Sequence, residues 1–301
     1  MRGIVSIGMA SVFEDRKLFC AFDSVHGSSA GACAAAYFSA GQSHLGASIY
    51  HEDINNREFI DLWRPSRFQP IMNVDFLVDE VMRKRKPLHA QHILNNPGFL
   101  HIVATDANSG KAVLFDRFRS EDQLYGSLKG SICLPLIAGK SIVVDDKQLI
   151  DGGLVQQIAL PSAVSSGATH IIVLMTRRRS ELERPVGGIR MALEGFALRQ
   201  AYGDAVAAAY MNRSQAINKL ISEVLSGTIA NSVLVSAIAM PNESPEIGRL
   251  TIDKARLVLG LRAAQVAASQ FLDGDIRNPS LGPPGFGRDD SQESRPGTLP
   301  I

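Results

Sequence analysis

Five consecutive residues, Gly27-Ser28-Ser29-Ala30-Gly31, fit the pattern G-x-S-x-G, between the apolar run Phe22 to Val25 and the small-residue run Ala32 to Ala36. A serine at a sharp turn from strand to helix is lifted clear of the sheet, and flanking glycines let the chain turn without side-chain clashes. The positive end of the helix that follows favours a developing oxyanion. The chemistry that suits this setting is attack by the Ser29 hydroxyl on an electrophile. A hydroxyl needs a base for that, and Asp151-Gly152-Gly153 offers one. Alone, this tripeptide after the apolar segment Ser141 to Val144 reads as an Asp-Gly turn. Together with Ser29 it reads as a carboxylate on a loop whose glycines permit close approach.

Those two loops need a scaffold. Short β-rich runs alternate with helical periodicity, the pattern of βα units around a sheet. Strands are expected at Phe22 to His26, Gly98 to Asp106, Lys111 to Phe115, His170 to Met175 and Ser232 to Met240. Helices are expected at Ala30 to Ala40, Val74 to Arg83, Pro161 to Ser166, Gly188 to Ser226 with interruptions, and Asp253 to Leu272 behind a capping region at Thr251 to Asp253. No internal repeat is evident. The division expected is a core at 1–180, a helix-rich extension at 181–272 packed on it, and a tail at 273–301. The tail is rich in Pro, Gly, Ser and Asp without hydrophobic period, and is read as disordered. Charges and Pro185 between Arg177 and Gly188 mark a softer boundary, a linker or a loop.

Composition narrows the classes of partner. The formal net charge is +1, so no whole-molecule field draws the chain to nucleic acid, and none is expected as a partner. Cys20, Cys33 and Cys133 are odd in number and form no C-x-x-C pair, which fits neither a disulfide framework nor a zinc site. No secretory signal is read at the N-terminus, and no apolar stretch approaches the roughly 18 to 20 residues that cross a bilayer. A cytoplasmic or membrane-peripheral location is the expectation.

Taken together, Gly27 to Gly31 and Asp151 to Gly153 resemble the signature of the patatin-like phospholipases, a G-x-S-x-G elbow followed far downstream by a D-G-[AG] loop. Val103 to Asp106 with Gly110 and Phe115 looks like that family's strand-turn-strand, and Leu154 through Gly167 like its continuation. The resemblance runs from Met1 to about Leu272 and is similar to a bacterial branch with an extra C-terminal strand and helix, here Ser232 to Leu272. It implies an α/β fold with three layers, α/β/α, around a largely parallel sheet. It also implies hydrolysis of a lipid acyl ester by a Ser29-Asp151 dyad, through an acyl-enzyme and without metal or other cofactor. The lipid ester would be the principal partner, with peripheral membrane contact beside it.

One departure from the family pattern is plain. The family carries G-G-G-x-R-G after its first strand, with the oxyanion donors in that loop, whereas here Arg2 and Gly3 follow Met1 directly. The expectation is a sheet whose first strand is missing, a partial oxyanion site at Arg2 and Gly3, and either a start upstream of Met1 or a shortened, catalytically poor protein. In the latter case the chain would be a lipid-binding or regulatory module.

A Ser-acid-His triad would need a histidine after Asp151, and His170, at the head of an apolar strand, is the one present. It is read as a strand-end imidazole, and His26 as structural. Arg177-Arg178-Arg179 could meet a head-group phosphate, but Glu181 and Glu183 favour a solvated loop. The basic run Met82 to Lys86 suits a helix C-terminus; both runs could help dock on an anionic membrane. Trp63, with Phe59, Phe68 and Ile71, is assigned to the core over a lipid-admitting lip.

Overall fold

A computed structural model describes residues 1–182, 188–229 and 233–274. The chain begins with α1 (Gly3–Asp15), in which eleven of thirteen residues are buried, Gly3 through Phe13 without a break. A helix apolar on every side has no solvent face, and α1 is accordingly enclosed by other helices.

The order then runs β1 (Val25–Ser28), α2 (Ala30–Ser39), α3 (Ser43–Glu52), a π-helix at Phe76–Arg85, α4 (Ala90–Leu94), β2 (Leu100–Asp106), β3 (Ala112–Phe115) and α5 (Glu121–Ile132). There follow β4 (Ile142–Val144), β5 (Lys147–Ile150), α6 (Leu160–Ser165), β6 (His170–Arg178), α7 (Arg179–Leu182), α8 (Ile189–Tyr202), α9 (Asp204–Ser226), β7 (Thr228–Ile229), β8 (Val233–Met240) and α10 (Lys254–Leu272). The expected strands and helices are present with shifted ends. The stretch 74–83 becomes the π-helix, and Gly203, at φ +88°, breaks the long helical stretch into α8 and α9. Asp253 caps α10 by accepting from the Arg256 N–H at 2.6 Å. Helices α1, α3, α4, α5 and α7 lie outside the expected helices. The break around Pro185 and nearly all of the expected tail lie outside the described residues.

Two sheets form. In the first, β1 runs parallel to β2, which also takes β3 and β5 antiparallel, with β4 beyond β5. In the second, β6 runs parallel to β8, and β7 closes the other side of β8 antiparallel. Parallel pairing thus belongs to β1–β2 and β6–β8, while the shorter strands join antiparallel. Alternation along β8 shows the layering, because successive side chains of a strand face opposite ways. Val233, Val235 and Ala237 join Val173 and Met175 of β6 and Ile217, Ile221 and Val224 of α9 in one core. Ile238 and Met240 face the opposite core, built with α1, α2, α5 and α10.

Among the described residues β1 and β6 each pair on one side only, and both line one cavity of about 1160 Å³. The sheet is therefore open beside the strand that carries Ser28. No helix among the described residues is long and apolar enough to cross a membrane.

Candidate active site

Ser29 sits between β1 and α2 with φ +56° and ψ −133°. A non-glycine residue held there stores roughly 1–3 kcal/mol of strain, so its surroundings must impose it. Two contacts do so. At Gly27 an added Cβ would fall 2.5 Å from the Ala32 Cα and from the Gly31 carbonyl oxygen, so the strand can approach the helix only as glycine. The Ser29 N–H donates to Ser131 Oγ at 2.9 Å, and the Ser131 hydroxyl donates to the Val103 carbonyl at 2.6 Å, which ties the turn to α5 and β2. Ser131 carries no motif of its own and was missed in the sequence. Ser28, next to it, is buried with its hydroxyl unpartnered, and Gly31 faces open space.

The carboxylate reaches Ser29 through the sheet. β1 and β5 pair end to end along the same side of β2, opposite β3, β1 running up to Ser28 beside Val103 and β5 running the other way to Ile150 beside Thr105, so the residues that follow each strand converge. The Ser29 hydroxyl donates to Asp151 Oδ2 at 2.5 Å. Asp151 Oδ1 accepts from the Gly153 N–H at 2.8 Å, its own N–H donates to the Cys133 carbonyl, and its carbonyl accepts from Thr105 Oγ1. Gly152 is fixed by space, since a Cβ there would lie 2.1 Å from the Val103 carbonyl oxygen and 2.8 Å from Ser28 Oγ. Asp151 is 3% exposed. Burial pushes its carboxyl up to about 6, against the hydrogen bonds from Ser29 and Gly153 and the charges of Arg249 and Arg213.

The other expected donors lie at the head of α1. Arg2 is the residue before the helix and Gly3 its first, where backbone N–H groups have no intrahelical acceptor. Gly3 is pressed against α2: a Cβ on it would lie 3.0 Å from Ala30 Cβ and 1.9 Å from the Tyr50 hydroxyl oxygen. The N-termini of α1 and α2 therefore meet beside Ser29. Arg2 Nε donates to the Ile247 carbonyl, and the Met1 ammonium, buried and lowered to about 5 by that burial, donates to the Arg249 carbonyl at 2.8 Å.

The remaining candidates separate clearly. His26 stacks on His101 at 4.0 Å and bonds Ser24, with burial holding its ring down at about 4, and His170 bonds the hydroxyl of Thr169. Neither forms a hydrogen bond to the Ser29-Asp151 pair. Burial pushes the Cys33 and Cys133 thiols up to about 12, and among the described residues no His, Cys, Asp and Glu cluster could hold a metal ion. The basic run at the end of the π-helix is internally balanced: Arg83 pairs with Asp122, Lys84 with Glu80 and Lys86 with Glu52. Arg178 likewise pairs with Glu181 and Glu246.

Trp63 and Phe68 are a correction. Phe59 is in the core, but Trp63 is 72% exposed and Phe68 101% exposed. The cause is a one-turn 3₁₀ helix at Arg64–Arg67 started by Pro65, with the Arg64 guanidinium tied to the Arg57 and Glu58 carbonyls. That tight turn projects Trp63 and Phe68 outward.

A layered α/β fold that presents a strained serine at a strand-to-helix elbow, against a buried carboxylate, defines a class of architecture. Within it, the patatin-like phospholipase family model matches residues 1–164, more than half of the chain. The chain belongs to the patatin-like phospholipase family, whose members act on lipids. No curated protein sequence matches it.

Proposed function

We propose that the protein is a serine lipid acyl hydrolase, a carboxylic ester hydrolase working through a Ser29-Asp151 dyad. Asp151 takes the Ser29 proton as the hydroxyl attacks the ester carbonyl and gives it to the departing alkoxide, which leaves as the alcohol, so that an acyl-enzyme and an ionised Asp151 remain. Water deprotonated by the same carboxylate then releases the fatty acid. The hydrogen bond from Ser29 to Asp151 carries this reading. A carboxyl near 6 supports it too, since such a group is ionised at neutral pH yet basic enough to accept a proton. The backbone N–H of Ala30 at the head of α2, with Gly3 at the head of α1, is the donor set nearest to hand for the oxyanion. In this reading 1–180 is the catalytic core and 181–272 the extension packed on it.

Leu62, Trp63 and Phe68 give the surface an exposed apolar loop, and membrane contact is assigned to it. A second reading, a lipid-binding protein with poor turnover, is favoured by one observation: the cavity of about 1160 Å³ beside Ser29 has room for a lipid whether or not it is cleaved. Hydrolysis of p-nitrophenyl esters of increasing chain length, with Ser29→Ala alongside, decides between the two. Activity lost in the variant supports the dyad, and equal background rates in both favour the binding protein.

A further inference from the structure

Four arginines gather around the candidate dyad from four separate elements. Arg2 precedes α1, Arg177 lies near the end of β6, Arg213 is in α9, and Arg249 follows β8. All four line the cavity that Ser29 and Asp151 also line. Among the described residues none of them is in an ion pair, although Arg178, one residue from Arg177, has two carboxylate partners. Arg213 lies over the Tyr210 ring at 3.7 Å, and its Nε is buried without an acceptor. Arg2, Arg177 and Arg213 are half-buried, and Arg249 stands exposed.

Charges taken out of water beside like charges are unfavourable unless an anion completes the arrangement. Burial lowers the basicity of Arg2, Arg177 and Arg213, and Arg249 lowers each further. Of the carboxylates on the same cavity, Asp151 is engaged with Ser29, Glu194 accepts from the Tyr210 hydroxyl, and Asp23 lies ahead of β1, at the opposite end of that strand from Ser29. Counter-charge reaches them only from a distance, from Glu181 and Glu246 on Arg2, Glu181 on Arg177, and Glu194 and Asp151 on Arg213, and among the described residues no carboxylate is paired with any of the four.

We infer that these four arginines form a phosphate subsite, which takes the doubly charged phosphomonoester head group of a phosphatidate or lysophosphatidate while Ser29 faces the neighbouring acyl ester. The inference rests on the hydrolase reading for its second half alone. Guanidinium forks match phosphate oxygens in pairs, and a phosphomonoester has the charge and free oxygens to engage several at once. A choline or ethanolamine head group would bring a cation toward four cations, and the face of Tyr210 that could receive it is covered by Arg213.

The test compares kcat/KM of the whole chain on lysophosphatidate and on lysophosphatidylcholine with the same acyl group. The anionic lipid is expected to be preferred by at least about tenfold, and Arg213→Gln and Arg177→Gln should each cut that preference by about tenfold, mainly through KM. Arg249→Gln, at an exposed position, gives the same readout should either half-buried variant fail to fold. No preference for the anionic lipid, or one that all three variants leave unchanged, overturns the subsite. Should nothing be hydrolysed, binding of lysophosphatidate and of inorganic phosphate to Ser29→Ala is measured by calorimetry. Lipid binding that weakens about tenfold in the Arg213→Gln background upholds the subsite although the hydrolase reading has failed. Absence of binding overturns it, and inorganic phosphate binding as tightly as the lipid overturns the head-group assignment in favour of a soluble phosphate anion.

Discussion

The two sides of the candidate site are built to different standards. On the nucleophile side, Ser29 is held in a strained turn by Gly27 and Ser131, and Asp151 is fixed by bonds to every polar atom it offers. On the oxyanion side there are two helix N-termini, with Gly3 of α1 pressed against Ala30 of α2. For the proposed reaction, proton transfer thus has a full constellation, whereas charge stabilisation rests on a few amides. A nucleophile and its base can be assembled by strand register alone. An oxyanion site needs several N–H groups aimed at one point, which strand register alone does not supply.

The largest effect should come from the complete side. Ser29→Ala and Asp151→Asn are each expected to lower kcat by on the order of 10⁴-fold or more, read in single-turnover assays on a p-nitrophenyl ester. A smaller but opposite effect would sharpen the contrast. Fusing a strand and a glycine-rich loop ahead of Arg2 should raise turnover by about a hundredfold, since one oxyanion donor is worth about that much. If the fusion leaves the rate unchanged, the two sides are equally complete and the comparison fails.

Next comes pH. Asp151 must be ionised to accept the proton, so kcat/KM should level off above about 6 and fall about tenfold per pH unit below it. The same group carries a stability signature of opposite sense. Its folded value, about 6, is raised from 3.8, so the folded state holds this proton more tightly than the unfolded chain does. The resulting stability is full below about 3.8 and is lost as pH rises through about 6, by at most about 3 kcal/mol. Asp151→Asn lacks that titration, so urea unfolding should show it gaining on the wild type across this window while losing activity.

Glycines test the packing side of the contrast at smaller scale. Gly152→Ala should cost about 1–3 kcal/mol in chemical denaturation because its Cβ would enter the Val103 carbonyl, whereas Gly31→Ala, facing open space, should leave the midpoint in place. Smallest of all, Trp63→Ala should leave Tm unchanged and weaken sedimentation with anionic vesicles by a few-fold. A Tm loss of several degrees would return Trp63 to the core.

The contrast also explains what the sequence disclosed. Ser29 and Asp151 were legible because each depends on glycines at fixed offsets, a local requirement that leaves a local pattern. Ser131 and Arg213 were not, since their parts arise from register and packing between segments distant in the chain. Helix α1 escaped notice because burial on all sides removes the hydrophobic period by which helices are found. Helix α5 did leave a signal: Ser120 and Gln123 form an S-x-x-Q start in which Ser120 Oγ accepts from the Gln123 N–H. Trp63 was misplaced because apolar character was taken to mean core, and the turn at Pro65 outweighed it.

Enclosure of α1 reaches beyond the site to the order of synthesis. Helix α1 packs on α10, far downstream: Gly8 lies against Leu261, Ser11 accepts from Gln265, and Arg2 and the Met1 nitrogen bond carbonyls at Ile247 and Arg249. At about 5–20 residues per second, the ribosome needs roughly 10–50 s to make the partner of a helix it has already released. For that interval α1 can pack on α2 and α3, but the face that meets α10 has no native cover. The nascent chain is consequently a client for whatever holds hydrophobic segments at the ribosome, and the scaffold around Ser29 closes only after α10 has emerged.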